Sequence, residues 1–469
     1  MLSRTRRNFL KTTAVATASL AAFKGQYLWA SPSANVQGWA TSKNKKFQKI
    51  TVPQWRATTG NPAAIQIDPA QRYQKILGFG AAFTDASCYM FSQLSQQERQ
   101  ALLSEFFGPS GLRMSVCRTC IGASDYSTSV YSFDESNEPD PDLKKFSIEH
   151  DRAYILPTLR QAREVNPDLF LFSSPWSPPG WMKAGKSMLG GNMRNEYFAP
   201  YAQYLVKFLQ DYSENGVKIN AITVQNEVDT DQNGRMPAAL WGQEYEIGFV
   251  KNYLGPAFEH ASIDTKIWIL DHNYNLAGRA IDELEDPDVY KYVDGVAWHG
   301  YFGKPESMTQ VHNAFPEKNA YWTEGGPDYT SPDYLTDWAK WGHTYSEILR
   351  NWARCIVGWN LVLDENGKPD IGPFSCGGVV TVNSKTHEVS RSGQYWAFAQ
   401  YSKVIQRGAQ VIASRGDIKD VSHVAMQNPD GGRVLVLTNL GSDQQVSCQL
   451  ENQVLDLTLE ADSITTLLV

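Results

Sequence analysis

Two glutamates carry the most pointed chemistry in this sequence. Glu227 closes the run Thr223-Val224-Gln225-Asn226-Glu227, and Glu324 stands in Thr323-Glu324-Gly325-Gly326, each at the end of an apolar, β-type stretch. A facing pair of carboxyl groups is what cleavage of a glycosidic bond requires. One donates a proton to the leaving oxygen while the other, ionised, attacks the anomeric carbon from the opposite face. Two like groups must then be held in different protonation states by their surroundings. Arg118 is expected to keep Glu324 ionised, and the charge of Glu324 is expected to raise the pKa of Glu227.

Residues so far apart in the chain need a common scaffold. From residue 76 to about 364, β-type runs alternate with longer helix-type runs, the pattern of a parallel sheet with crossover helices. The spacing predicts eight strands, at 76–83, 112–121, 169–177, 219–227, 265–272, 293–301, 319–324 and 355–363. Helices are expected at 95–107, 150–165, 197–212, 241–260 and 338–352, where apolar residues recur at three and four. Eight such units fit a (β/α)8 barrel of the α/β class, with an open doubly wound sheet as the alternative. In a barrel the reacting groups lie at the C-terminal strand ends. There the sequence places Arg118 to Asp125, Trp176 and Trp181, Asn226 and Glu227, His299 to Tyr301, and Glu324, with Trp298 on the sixth strand and Trp359 within the eighth.

A last helix at 394–406 is followed by alternating strands at 410–414, 421–427, 433–439, 445–450, 455–459 and 465–469, with Asp430-Gly431-Gly432 as a hairpin signal. The organisation expected is a leader at 1–31, an N-terminal segment at 32–70 contributing to a β-sandwich, a catalytic barrel at 71–405, and the sandwich itself at 406–469. Thr5-Arg6-Arg7-Asn8-Phe9-Leu10-Lys11 before a mild apolar run has the twin-arginine pattern of export signals, so a periplasmic or extracellular enzyme is expected. That run is too short for a stable membrane span.

Net charge is −7, and the first thirty residues hold five cations and no acid. The rest of the chain is therefore strongly acidic, which argues against nucleic acid as a partner. The 14 Trp and 22 Tyr suit a cleft that offers flat apolar faces to a carbohydrate. Six scattered cysteines do not make a disulfide framework, and Cys117-Arg-Thr-Cys120 lacks the second pair of a zinc site. Zincin, serine-hydrolase and P-loop motifs are absent. Two carboxylates suffice for the chemistry, so no metal and no organic cofactor is expected.

Four segments resemble glycoside hydrolase family 30, which includes lysosomal glucosylceramidase. They are Gly78-Phe79-Gly80-Ala81-Ala82-Phe83-Thr84-Asp85, Ser174-Pro175-Trp176-Ser177-Pro178-Pro179-Gly180-Trp181-Met182-Lys183, Thr223-Val224-Gln225-Asn226-Glu227 and Thr323-Glu324. The resemblance implies a retaining β-glycosidase with Glu227 as acid/base and Glu324 as nucleophile. It also implies sugar-binding roles for Asp125, Trp176, Asn226, Tyr301 and Trp359, with Arg118, His299 and Tyr301 supporting the nucleophile. Two departures touch substrate preference. Many members follow the acid/base with proline, where this chain has Val228, and Gly300 stands where the lysosomal enzyme has an aromatic residue. An exo-acting β-glucosidase or glucosylceramidase-like enzyme is the first reading. An endo-β-1,6-glucanase of the same family is the alternative, and an inactive carbohydrate-binding protein is the alternative of another class.

Overall fold

The computed structural model describes residues 36–58 and 63–469, so the expected leader at 1–31 lies outside the described residues. Eight parallel strands close into a barrel: β1 Gly78–Phe83, β2 Val116–Ile121, β3 Phe170–Pro175, β4 Ala221–Thr223, β5 Lys266–Asn273, β6 Val293–His299, β7 Asn319–Glu324 and β8 Ala353–Asn360. Each strand pairs with its sequence neighbours, and β8 pairs with β1. The doubly wound alternative is thereby excluded. Alternation along the strands sends Val116, Phe172, Ala221, Trp268, Ala297, Tyr321, Cys355 and Val357 into one cluster inside the barrel. Trp268 and Tyr321 stack there at 3.9 Å.

Strand-to-strand contact is closest at Gly80 of β1. A Cβ there would lie 1.7 Å from the Val116 carbonyl oxygen on β2. The glycine at this position is a packing requirement rather than a turn.

Helices cover the outside where the periodicity predicts them, with an instructive departure after β4. The helix expected at 95–107 runs Gln96–Phe107 behind a Ser95/Glu98 capping box, in which each side chain bonds the other's backbone N–H. The helix expected at 241–260 is instead Gln243–Phe249, a wide turn Val250–Leu254, and Gly255–His260. Pro256 has no N–H for the carbonyl one turn back, so the ladder widens where that bond is missing. Cys117 and Cys120 both lie on β2 at odd spacing, hence on opposite faces, and both are free thiols.

Beyond the barrel, ten strands form one sheet that mixes both ends of the chain. Its order is Lys45–Ile50, Gln37–Ser42, Ser463–Leu468, Arg433–Asn439, Val421–Gln427, Gln410–Arg415, Ile65–Lys75, Gln444–Leu450, Gln453–Leu459 and Arg56–Ala57. It encloses its own apolar cluster around Leu435, Leu437, Val446, Leu455 and Leu467. Two helices, Trp338–Arg350 and Gly393–Ser402, tie this sheet to the barrel. Arg350 donates to the carbonyls of Ser414 (3.0 Å) and His423 (3.2 Å). Gln400 bonds Thr41 Oγ1 at 2.8 Å, and Thr466 Oγ1 bonds the Gln400 carbonyl at 2.9 Å.

Replacing Gly80 by Ala is expected to destabilise the fold by about 2–3 kcal/mol or more, because the clash is with backbone and cannot be relieved by a rotamer. Urea unfolding of Gly80→Ala checks this. A midpoint equal to that of the wild type would contradict the strand packing described.

Candidate active site

At the C-terminal mouth of the barrel, Arg118 leaves β2 with its guanidinium wholly buried. A buried cation must be compensated and its N–H groups bonded. Here Nη2 donates to Asp271 (2.6 Å) and to Asn226 Oδ1 (2.7 Å), Nε to Ser174 Oγ (3.1 Å), and Nη1 to Glu324 Oε2. The guanidinium also faces the rings of Trp176 at 4.6 Å and Trp359 at 5.4 Å. Asp271 in turn accepts from Ser174 Oγ (2.8 Å), Thr223 Oγ1 (2.7 Å) and Thr323 Oγ1 (2.7 Å), and it contacts His299 Nε2 at 3.0 Å. Burial alone would raise the Asp271 carboxyl. The adjacent Arg118 and His299 outweigh it and hold Asp271 well below the usual carboxylate range.

Irregular backbone brings these groups together. On β5, Leu270 pairs with Ala297 while His272 pairs with Trp298, so Asp271 is an extra residue, and Leu270 and Asp271 both have positive φ (72° and 46°). On β7, Trp322 pairs with Trp298 and Glu324 with His299, leaving Thr323 as the extra residue. Such bulges let two consecutive side chains serve one site. β4 ends at Thr223 rather than at 227, and the residues after it bond alternately outward. Asn226 N reaches the Pro175 carbonyl (2.8 Å) and Glu227 N reaches that of Asp271 (3.0 Å), with Glu227 itself at φ 54°. A non-glycine residue in that region is strained, a feature that clusters at functional positions.

The nine residues given a catalytic, sugar-binding or supporting role from the sequence, Arg118, Asp125, Trp176, Asn226, Glu227, His299, Tyr301, Glu324 and Trp359, lie at this mouth. Glu324 receives Arg118 on Oε2 and the Tyr301 hydroxyl on Oε1 at 3.0 Å. Glu227 accepts Gln232 Nε2 on Oε2 at 2.8 Å. Between them stands His299, whose Nδ1 is 3.5 Å from Glu227 Oε1 and 3.8 Å from Glu324 Oε1. Trp176 and Trp359 stack on each other at 5.0 Å and 21°. Asp125 is buried, and its Oδ1 has no hydrogen-bond partner. A cavity of about 440 Å³ is bounded by Asp125, Trp176, Asn226, Glu227, Tyr301, Glu324 and Trp359. Trp181 and Trp298 are elsewhere: the Trp181 indole bonds Asp134, and Trp298 packs in the core outside the barrel strands.

The electrostatics differ from the expectation for the pair. Burial opposes a charge on His299, but Glu324 and Asp271 outweigh it and push the imidazole up to about 9. Burial works to raise Glu227. The neighbouring His299 and His272 outweigh that and hold it below its ordinary value. Glu324 is raised by burial and by Glu227, against His299 and Arg118. These directions favour a charged His299 over a protonated Glu227, with the imidazole between the two carboxylates.

Several further groups line the site without having been expected there. Asp271 and His272 end the expected fifth strand, where strand-end polarity is a signal that could have found them. Asn273 accepts from the backbone N–H groups of Tyr301 (3.0 Å) and Phe302 (3.1 Å). Gln232, Thr230 and Met236 come from the connection after β4, and Phe374 and Cys376 from the one after β8; all five line the cavity and none shows a sequence signal. Gly300 has a physical reason, since a Cβ there would meet Trp322 at 2.9 Å.

Comparison with known proteins gives the family of this fold. The family model described as "Glycosyl hydrolase family 30 TIM-barrel domain" matches residues 76–405, and "Glycosyl hydrolase family 30 beta sandwich domain" matches 408–467. An endo-1,6-beta-D-glucanase of Neurospora crassa is 33% identical over 434 residues, covering 88% of this chain and 86% of the relative. Lysosomal acid glucosylceramidase of Mus musculus is 30% identical over 407 residues, covering 82% and 79%. Among solved structures, an endo-beta1,6-glucanase superposes with a TM-score of 0.84 at 28% identity, covering 92% of this chain and 99% of that one. On this barrel, this sheet and these matches, the chain belongs to glycosyl hydrolase family 30 and is a retaining β-glycosidase.

Proposed function

We propose that this enzyme is an endo-β-1,6-glucanase in which Glu227 is the general acid/base and Glu324 the nucleophile. The observation that carries the roles is the unequal support of the two carboxylates. Glu324 is clamped by Arg118 and Tyr301, which orients it and compensates its charge. Glu227 meets a single amide donor and the proton-bearing edge of His299. In the first step His299 passes its proton to Glu227, which delivers it to the glycosidic oxygen as Glu324 attacks the anomeric carbon. The bond to the leaving sugar breaks and a glycosyl ester forms on Glu324. Glu227 then takes a proton from water, whose oxygen displaces Glu324 and restores the β configuration.

Asp125, with its unpartnered Oδ1 at the cavity, is assigned to accept sugar hydroxyls, and Asn226 to the 2-hydroxyl. Trp176, Trp359 and Tyr301 supply ring faces and polar edges. Arg118 and His299 act through the carboxylates.

For endo action, the support is the relatives named endo-1,6-beta-glucanase and the exposed rings of Phe302 and Phe374 near Tyr301 at the rim. Such rings offer stacking faces for sugar units beyond the one being cleaved. The exo reading ranked first from sequence becomes the second, kept by the glucosylceramidase relatives. The twin-arginine segment Thr5 to Lys11 supports export to the periplasm or beyond. Among the described residues no helix is long and apolar enough to cross a membrane.

Incubation with linear β-1,6-glucan, an aryl β-glucoside and a glucosylceramide, with products read by chromatography and NMR, tests the reading. Short oligosaccharides released as β-anomers before free glucose are expected. Glucose alone from the start would select the exo reading, and no turnover of any substrate would select the binding-protein reading. Glu324→Gln is expected to abolish turnover, and Glu227→Gln to lower kcat by about 10²- to 10⁴-fold.

Asp271→Asn removes a counter-charge from buried Arg118 and is expected to cost about 3 kcal/mol or more of stability at neutral pH. The sign with pH comes from the depressed Asp271. Its contribution is present above the ordinary carboxylate pKa, near 4, and is lost as pH falls through the lower folded value. Thermal melts of wild type and variant should therefore converge on acidification. A gap that widens below pH 4 contradicts the assignment.

A further inference from the structure

Both histidines beside Glu227 turn a ring nitrogen toward it. His272 Nδ1 is 3.7 Å and His299 Nδ1 3.5 Å from Glu227 Oε1, and the three atoms lie within 4.8 Å of one another. Both nitrogens are buried and have no hydrogen-bond partner. The opposite nitrogen of each ring faces a carboxylate: His272 Nε2 contacts Asp229, and His299 Nε2 stands 3.0 Å from Asp271. A carboxylate behind each imidazole fixes its orientation with Nδ1 toward Glu227, which is the outer-shell arrangement of a metal-bound histidine, and the ion displaces the proton from His299 Nδ1 as it binds. Two imidazole nitrogens and one carboxylate oxygen, with the cavity open beside them, match the donor set of a three-ligand zinc site with a free position.

We propose that Glu227, His272 and His299 form an inhibitory site for a divalent transition-metal ion of the Zn²⁺ class, held at the cavity wall in competition with substrate. The nitrogen-rich donor set selects Zn²⁺, Co²⁺, Ni²⁺ or Cu²⁺ over Mg²⁺ and Ca²⁺. Three ligands about 2.0–2.1 Å from a tetrahedral ion stand roughly 3.3 Å apart, so the two distances to Glu227 close by a few tenths of an ångström. The ion takes the Glu227 oxygen through which the proton would pass and replaces the proton between Glu227 and His299. Glu324 Oε1, 3.8 Å from His299 Nδ1, adds negative charge beside it. Binding is independent of which glycan is the substrate, so it is measured without one.

Untagged, chelator-treated protein is titrated with ZnCl₂ by calorimetry and with CoCl₂ by visible absorption. One ion per chain is expected, with a Co²⁺ spectrum of nitrogen and oxygen ligation. His272→Gln should weaken binding by at least tenfold. Asp229→Asn, which leaves all three ligands in place, should weaken it by about 10- to 100-fold. Hydrolysis of the glycan should be inhibited by Zn²⁺ competitively and restored by EDTA. No binding at millimolar Zn²⁺, unchanged affinity in both variants, or a thiolate-to-Co²⁺ band placing the ion on Cys376 would each overturn the proposal.

Discussion

Everything at the barrel mouth depends on the burial of one cation. Arg118 sits where water cannot reach its guanidinium, and its five N–H groups have to be answered from the surrounding strands. Asp271 from β5, Glu324 from β7, Asn226 after β4 and Ser174 from β3 answer four of them. Removing any one leaves a charged donor unpaired in a medium where that is expensive. The positions of the two glutamates relative to each other are therefore set by a side chain that belongs to neither. Such a cluster does not stabilise the fold as well as apolar packing would. Its return is geometric, since a carboxylate held on a fixed guanidinium, as Glu324 is, is oriented before substrate arrives.

Regular strands could not have built that cluster. Alternation would give each strand one inward side chain in two, whereas the site takes Asp271 and His272 from β5 and both Thr323 and Glu324 from β7. A single extra residue in each strand resolves the conflict, with two positive φ angles on β5 as the consequence. The effect on legibility is direct. The eight-strand pattern, the ends of strands four and seven, and the aromatic residues around them could be read because hydrophobic runs and strand-end polarity obey simple periods. Asp271 could not be read as a partner of Arg118, because counting by two along Trp268 and Leu270 sends it outward. Ile269 and Leu270 both face the outer core, which is where the count slips.

The charge distribution departs from the sequence expectation for a related reason. Two carboxylates and an arginine, taken alone, leave the proton on Glu227. With Asp271 brought inside, His299 gains a second anion on its Nε2 side and is favoured in its charged form, with Nδ1 3.5 Å from Glu227. The imidazole thus becomes a third member of the pair, and the protonation state belongs to the group. Gln232 and the other residues after β4 and β8 were beyond sequence reasoning altogether, because loop side chains acquire a function only from where the scaffold carries them.

The scaffold's rigidity at those loops has its own cause. Lys183, after β3, is buried and donates to Ser177 Oγ (3.0 Å), to the Met188 carbonyl (3.0 Å) and to the Ala238 carbonyl. One ammonium group thereby joins the connection after β3 to the one after β4 that supplies Thr230, Gln232 and Met236 to the cavity. Met188 and Ala238 also bond through their backbones, Ala238 N to Met188 O at 3.2 Å. These bonds join the two loops into one wall beside Glu227. Gln232, held in a strained left-handed conformation at φ 52°, keeps its amide on Glu227 because that wall over-determines its position. Lys183 thus ties the loop that carries Gln232, whose amide bonds Glu227 at 2.8 Å, to the loop of a neighbouring strand. Arg118 orients Glu324 through a direct ion pair, whereas Lys183, which burial pushes down to about 7 and which meets only a hydroxyl and two carbonyls, joins the loops by hydrogen bonds alone.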